Sequence, residues 1–130
     1  MLLARILLWM NGASFLLYGL ACLASPQLVA GYAGMELPGA SAMTEVAAMY
    51  GGLQIGVGGF FIYHGLREER FQPGLMLMFV MLGSLALART LGLLLYGMSS
   101  YNLGATVYES LTALLALFAM RLIAANRSEV

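Results

Sequence analysis

PGLMLMFVMLGSLALARTLGLLLY, residues 73–96, decides the fold. Arg89 is its only charged residue. At about 1.5 Å per residue, some 20 apolar residues in a helix cross the hydrocarbon core of a bilayer. Working outward, three further stretches have the same character. One runs over about residues 2–23 and stops before Ser25-Pro26. Another covers about 41–66 and ends at Arg67-Glu68-Glu69-Arg70. The last covers about 102–125 and leaves a short polar tail.

Composition supports the same reading. The chain has 130 residues, 62% of them hydrophobic and 9% charged, with mean hydropathy +0.88. A soluble domain carries about 25% charged residues, because its surface faces water. The expected fold is all-α: one integral membrane four-helix bundle over residues 1–130. Membrane lipids are then its first partners.

Orientation follows from arginine, since cytoplasmic loops retain positive charge. Arg5 opens the first span, Arg67 and Arg70 lie in the second connection, and Arg121 and Arg127 close the chain. The first and third connections carry neither Arg nor Lys. Both termini are therefore expected inside, at a cytoplasmic membrane. Arg5, an apolar run and Ala24 also resemble a cleaved leader, but a leader's apolar region is usually only about 7–15 residues long. The Leu20-Ala21-Cys22 stretch hints at a lipoprotein box, yet Gly19 stands where a bulky aliphatic residue is wanted. The first span is expected to be retained.

In the first connection, Ser25-Pro26 is a helix start, with a capping residue and a proline at the first turn. Leu28, Val29, Tyr32 and Met35 then share a face, before Gly34 and Pro38-Gly39 break it. A short interfacial helix is expected there, packing over the bundle or acting as a lid.

Three ionisable residues interrupt the spans: Glu45, Arg89 and Glu109. A lone charge at the helix centre costs about 2.5–3.5 kcal/mol even on lenient insertion scales. The economical arrangement sets Arg89 between the two carboxylates, facing inward. Asn102, Ala105, Thr112, Ala113 and Ala116 share the Glu109 face, and Tyr96 shares that of Arg89. Asn11, Tyr18 and Cys22 align on the first span. Ala48, Gly52, Gly56 and Gly59 align with Glu45, and Gly-x-x-x-Gly permits close helix packing. The cluster therefore either holds the helices in register or binds a polar group at the mouth of the bundle. Glu45, Arg89, Glu109, Tyr96, Asn11 and Tyr18 are the candidate binding residues, with Gly52, Gly56 and Gly59 as packing residues.

Several classes are disfavoured. Net charge of zero gives no basic patch for nucleic acid. One cysteine and one histidine, with no Asp, make a zinc or iron site a poor fit, so no metal is expected. The lone Cys22 forms neither an internal disulfide nor a Cys-x-x-Cys pair. Two glutamates alone are a weak signal for an enzyme.

Glu45-Val46-Ala47-Ala48-Met49-Tyr50-Gly51-Gly52, with Arg89, Gly92 and Glu109, resembles a domain-of-unknown-function family of small bacterial four-helix membrane proteins. Members often carry arginine where this chain has Ala47, which changes the local charge. The family is distantly similar to DoxX-like membrane proteins, some of which are subunits of quinone-linked oxidoreductases. The resemblance implies a bacterial inner-membrane protein and no established activity. No cofactor is expected outright, with a quinone or lipid the candidates to be held. The leading expectation is binding of a lipid-like ligand or a partner helix. Behind it stand an accessory subunit or enzyme of quinone or isoprenoid chemistry, and an oligomeric transporter of protons or a small solute.

Overall fold

The computed structural model describes residues 1–128; Glu129 and Val130 lie outside it, as do the side chains of Leu28, Arg127 and Ser128. The Leu28 contribution to the interfacial face and the Arg127 contribution to orientation therefore lie outside the described residues.

The chain is all-α, with no strand among the described residues. Its elements are α1 (Leu2–Ala24), α2 (Gln27–Ala33), α3 (Ala40–Val46), a π-helical stretch (Ala47–Gly52), α4 (Leu53–Gly65), a 3₁₀ turn (Glu68–Arg70), α5 (Phe71–Tyr96) and α6 (Ser100–Ser128). Among the described residues four helical stretches are long and apolar enough to cross a membrane: Leu2–Ala24, Ala40–Gly65, Glu68–Tyr96 and Ser100–Asn126. Large apolar side chains such as Leu87, Leu94, Leu114 and Phe118 are exposed on them. A water-soluble monomer rarely exposes so much apolar surface. This is a multi-pass membrane protein.

Helix ends depart from the hydropathy pattern for local reasons. Helix α5 starts at Phe71, ahead of Pro73. The first four N–H groups of a helix have no intrahelical partner, so a proline in the first turn loses nothing. Helix α6 starts at Ser100 because Ser99 caps it: the Ser99 Oγ accepts the Asn102 N–H at 3.2 Å. At the end of α2, Gly34 turns left-handed at φ 68°. Its N–H and that of Met35 both reach the Ala30 carbonyl, the closing pattern that a glycine without Cβ adopts cheaply.

The chain divides into two compact units: one spans Trp9–Tyr63, and the other joins the first eight residues to the chain from His64 onward. In the Trp9–Tyr63 unit, α1 meets the α3–α4 span through glycine. A Cβ placed on Gly58 would lie 2.8 Å from both the Gly12 carbonyl oxygen and the Leu16 nitrogen, and one on Gly19 would lie 2.8 Å from the Gly51 carbonyl oxygen. Phe15 and Phe61 pack edge to face at 5.8 Å. Val29 of α2 is buried with Cys22 and Val46, and Met35 and Leu37 close over them. The short helix thus packs onto the span ends of its own unit.

The glycines expected to make the close contact are not the ones that do. Gly52, Gly56 and Gly59 are exposed, and a Cβ on Gly56 or Gly59 would meet nothing within 4 Å. Glu45 and Ala48 are exposed with them. The contact face is instead the one through the π-helical stretch, whose i→i−5 bonding (Leu53 N–H to the Ala48 carbonyl) lengthens the turn by one residue. The buried face steps five residues from Val46 to Gly51 and then continues to Gly58. An uninterrupted α-helix would have carried it to Met49 or Tyr50, both of which are exposed. Glu45, Ala48, Gly52, Gly56 and Gly59 do share a face, but it is the exposed one: the Glu45 carboxylate does not mark the inward side.

In the other unit, Phe71, Leu75, Met78 and Leu82 of α5 are fully buried with Leu8. Opposite α5, α6 supplies the small buried residues Ala113, Ala116 and Ala119. Arg5 bridges Glu68 at 3.3 Å and lies over the Phe71 ring at 5.6 Å, tying the first helical turns to the second connection.

Candidate functional site

The polar site is built on α5 and α6. Ser99 organises it from the helix cap: its Oγ accepts the Asn102 backbone N–H and also the Asn102 side-chain Nδ2–H at 2.9 Å. With Nδ2 turned toward Ser99, the Asn102 Oδ1 faces Arg89 and accepts from Nη1 at 2.8 Å. That amide orientation is chemically required, since a guanidinium has donors and no acceptor. The Arg89 Nε donates to the Glu109 Oε2 at 3.1 Å, and Nη2 donates to Oε1 at 2.8 Å. Two parallel N–H···O bonds to one carboxylate form the strong, geometrically specific arrangement of this pair.

Burial is uneven across the pair. The Glu109 side chain is 7% exposed and that of Arg89 is 26% exposed. Arg89 lies seven residues before the end of α5, about 10 Å along the axis at 1.5 Å per residue. Neighbouring hydroxyls are turned onto their own helices: Thr106 Oγ1 donates to the Asn102 carbonyl and Thr90 Oγ1 to the Ala86 carbonyl. Such back-bonding gives a hydroxyl an internal acceptor for its proton where water is scarce.

A groove of about 490 Å³ runs between α5 and α6. Phe79, Val80, Leu87 and Leu114 form its apolar walls, Gly83 and Ala113 its shallow floor, and Ser84, Thr90 and Ser110 bring hydroxyls to it. Thr90 directly follows Arg89, and Ser110 directly follows Glu109. On each helix, therefore, the ion-paired residue and a groove residue are neighbours in one turn.

The remaining candidates are divided between the two units. Tyr96 closes α5 and is 89% exposed. Glu45 is exposed and belongs to the Trp9–Tyr63 unit. Asn11, 5% exposed, and Tyr18, 40% exposed, belong to that unit too. What the structure joins directly is Arg89 with Glu109 and Asn102. Among the described residues no group of three or more His, Cys, Asp or Glu side chains is placed to hold a metal ion. Ser99 and the groove hydroxyls had escaped the sequence reading. Ser99 carried a findable signal, because serine directly before an apolar run is a preferred helix cap. The hydroxyls carried none, since single serines in a membrane span are unremarkable.

Residues 3–120 match a family model described as a domain of unknown function, DUF4345. No curated protein matches the chain, and neither does any solved structure.

Proposed function

The chain belongs to this DUF4345 family, and we propose that it binds a lipid-like molecule in the α5–α6 groove, with Arg89, Glu109 and Asn102 holding the two helices in the register that shapes it. One observation carries this reading: both members of the ion pair are directly followed by groove-lining residues, Thr90 and Ser110. A shift of one helix against the other by a single turn would break the bidentate bond and redraw the groove together. Apolar walls with a few placed polar groups are the usual make-up of a small-molecule site, and about 490 Å³ falls within the usual range of such sites.

In this reading the protein sits in the cytoplasmic membrane of a bacterium with both ends inside, as the arginines at positions 5, 67, 70 and 121 favour. A second reading, a partner helix, is favoured by the exposed Gly52, Gly56 and Gly59, whose surface lets another backbone approach closely.

The test is lipid retention after purification in a mild detergent, read by native mass spectrometry. The wild-type protein is expected to keep a lipid adduct. The doubly substituted Arg89→Met/Glu109→Met protein, which removes both charges and leaves neither stranded, is expected to fold and lose it. Retention of the same adduct by that protein would contradict the register role.

A further inference from the structure

We infer that the α5–α6 groove selects an uncharged amphiphile, of the diacylglycerol type, over an anionic phospholipid; this rests on the groove being the binding site proposed above. The Arg89 charge is already matched by Glu109 through two hydrogen bonds, at 2.8 and 3.1 Å, and Asn102 adds a neutral acceptor at 2.8 Å. The cluster therefore carries no net charge, and its guanidinium is already committed to protein acceptors. Among the described residues no charged side chain lines the groove. Its polar groups are the hydroxyls of Ser84, Thr90 and Ser110.

Those hydroxyls also restrict the chemistry. The Thr90 Oγ1 proton is used on the Ala86 carbonyl at 2.7 Å, so Thr90 is left to accept. Ser84 and Ser110 can donate or accept. A glycerol hydroxyl beside an ester carbonyl supplies both halves: a donor for Thr90 and acceptors for the serines. A phosphodiester group itself supplies acceptors only. Where the headgroup adds hydroxyls, as in phosphatidylglycerol, the difference that remains is the phosphate charge, which nothing on the groove wall balances. Burying such a charge without a partner is far more costly than burying a hydrogen-bonded hydroxyl. The groove floor is open enough to test by filling, because a Cβ added at Gly83 meets only the Ala113 Cβ, at an ordinary 3.9 Å.

The experiment titrates the detergent-purified full chain with 1,2-dioleoylglycerol or with dioleoylphosphatidylglycerol and reads adducts by native mass spectrometry. Gly83→Leu and Ser110→Leu are run beside the wild type, with helical content checked by circular dichroism. Dioleoylglycerol is expected to bind the wild type and to lose about tenfold in affinity in each filled variant, the equivalent of one good contact. Phosphatidylglycerol adducts are expected to be weaker and unchanged by filling. Should Gly83→Leu fail to fold, Ser110→Leu carries the same comparison. If phosphatidylglycerol binds as well or better and is displaced by filling, selectivity for an uncharged ligand is overturned while the groove stands as a lipid site. If neither lipid responds to filling, both readings fall. If filling instead splits a dimer into monomers and releases no lipid, the occupant is a second copy of the chain and the lipid assignment is overturned.

Discussion

Two helix contacts, one in each unit, are made by opposite means. In the Trp9–Tyr63 unit the contact is backbone against backbone: Gly12 against Gly58 and Gly19 against Gly51, at separations where one added carbon collides. Between α5 and α6 the contact is built on charge, and Gly83 still has ordinary clearance to Ala113. Between helices in lipid the hydrophobic effect contributes little, because lipid tails are as apolar as leucine; close packing and interhelical polar bonds remain. The contact of α1 with the α3–α4 span uses the first, and the α5–α6 contact uses the second. The glycine contact should therefore be intolerant of volume, and the ion-paired contact intolerant of losing one charge.

The largest expected effect comes from the charged contact. Arg89→Met strands the Glu109 carboxylate, 7% exposed, and should destabilise the protein by about 3–5 kcal/mol, the usual result of removing one partner from a buried pair. Thermal unfolding in detergent, followed by circular dichroism, checks this. A change no larger than that of an exposed substitution would place the pair among the weak ones.

Next comes the glycine contact. Gly58→Ala puts a Cβ 2.8 Å from two backbone atoms of α1, which forces the helices apart. Overpacking of this kind costs about 1–3 kcal/mol, against a helix-propensity gain of up to about 1 kcal/mol, so a net loss is expected in the same assay. Were Gly58→Ala to stabilise the protein, the close approach of α1 to the α3–α4 span would be wrong.

The smallest effect is expected two residues away. Gly56→Ala meets nothing within 4 Å and should leave stability unchanged or raise it by less than about 1 kcal/mol. The contrast between Gly56 and Gly58 sharpens the comparison, because the two are chemically identical substitutions on one helix. A loss at Gly56 equal to that at Gly58 would move the contact face back to the residues that simple periodicity selects.

That periodicity marks the limit of what could be read from the residues alone. The four spans were legible because a run such as residues 73–96, with one charge, has few other ways to exist. The Arg89 cluster was legible only in part, from the cost of leaving a charge alone in lipid: Glu109 pairs with Arg89, whereas Glu45, expected as the second carboxylate, is exposed. The glycine face was not legible. A π-helical stretch adds one residue to a turn, and neither Ala47-Ala48-Met49-Tyr50 nor Gly51-Gly52 announces it by composition. Nor does composition show that Glu45 lies on the open side of its span, with Gly52, Gly56 and Gly59 on the same exposed face. Asn102 was placed on the Glu109 face by spacing alone; its hold on Arg89 depends on the Ser99 cap, a three-dimensional detail of the α6 start.

The most direct test of the charged α5–α6 contact is a double-mutant cycle on Arg89→Met and Glu109→Met, with unfolding free energies measured in one detergent. Each single substitution strands a charge, whereas the double one leaves two packed apolar side chains. The double variant is expected to be more stable than either single one, with a coupling energy of at least about 2 kcal/mol. Additive losses would show that the two side chains do not depend on each other, and the contact between α5 and α6 would then rest on packing alone.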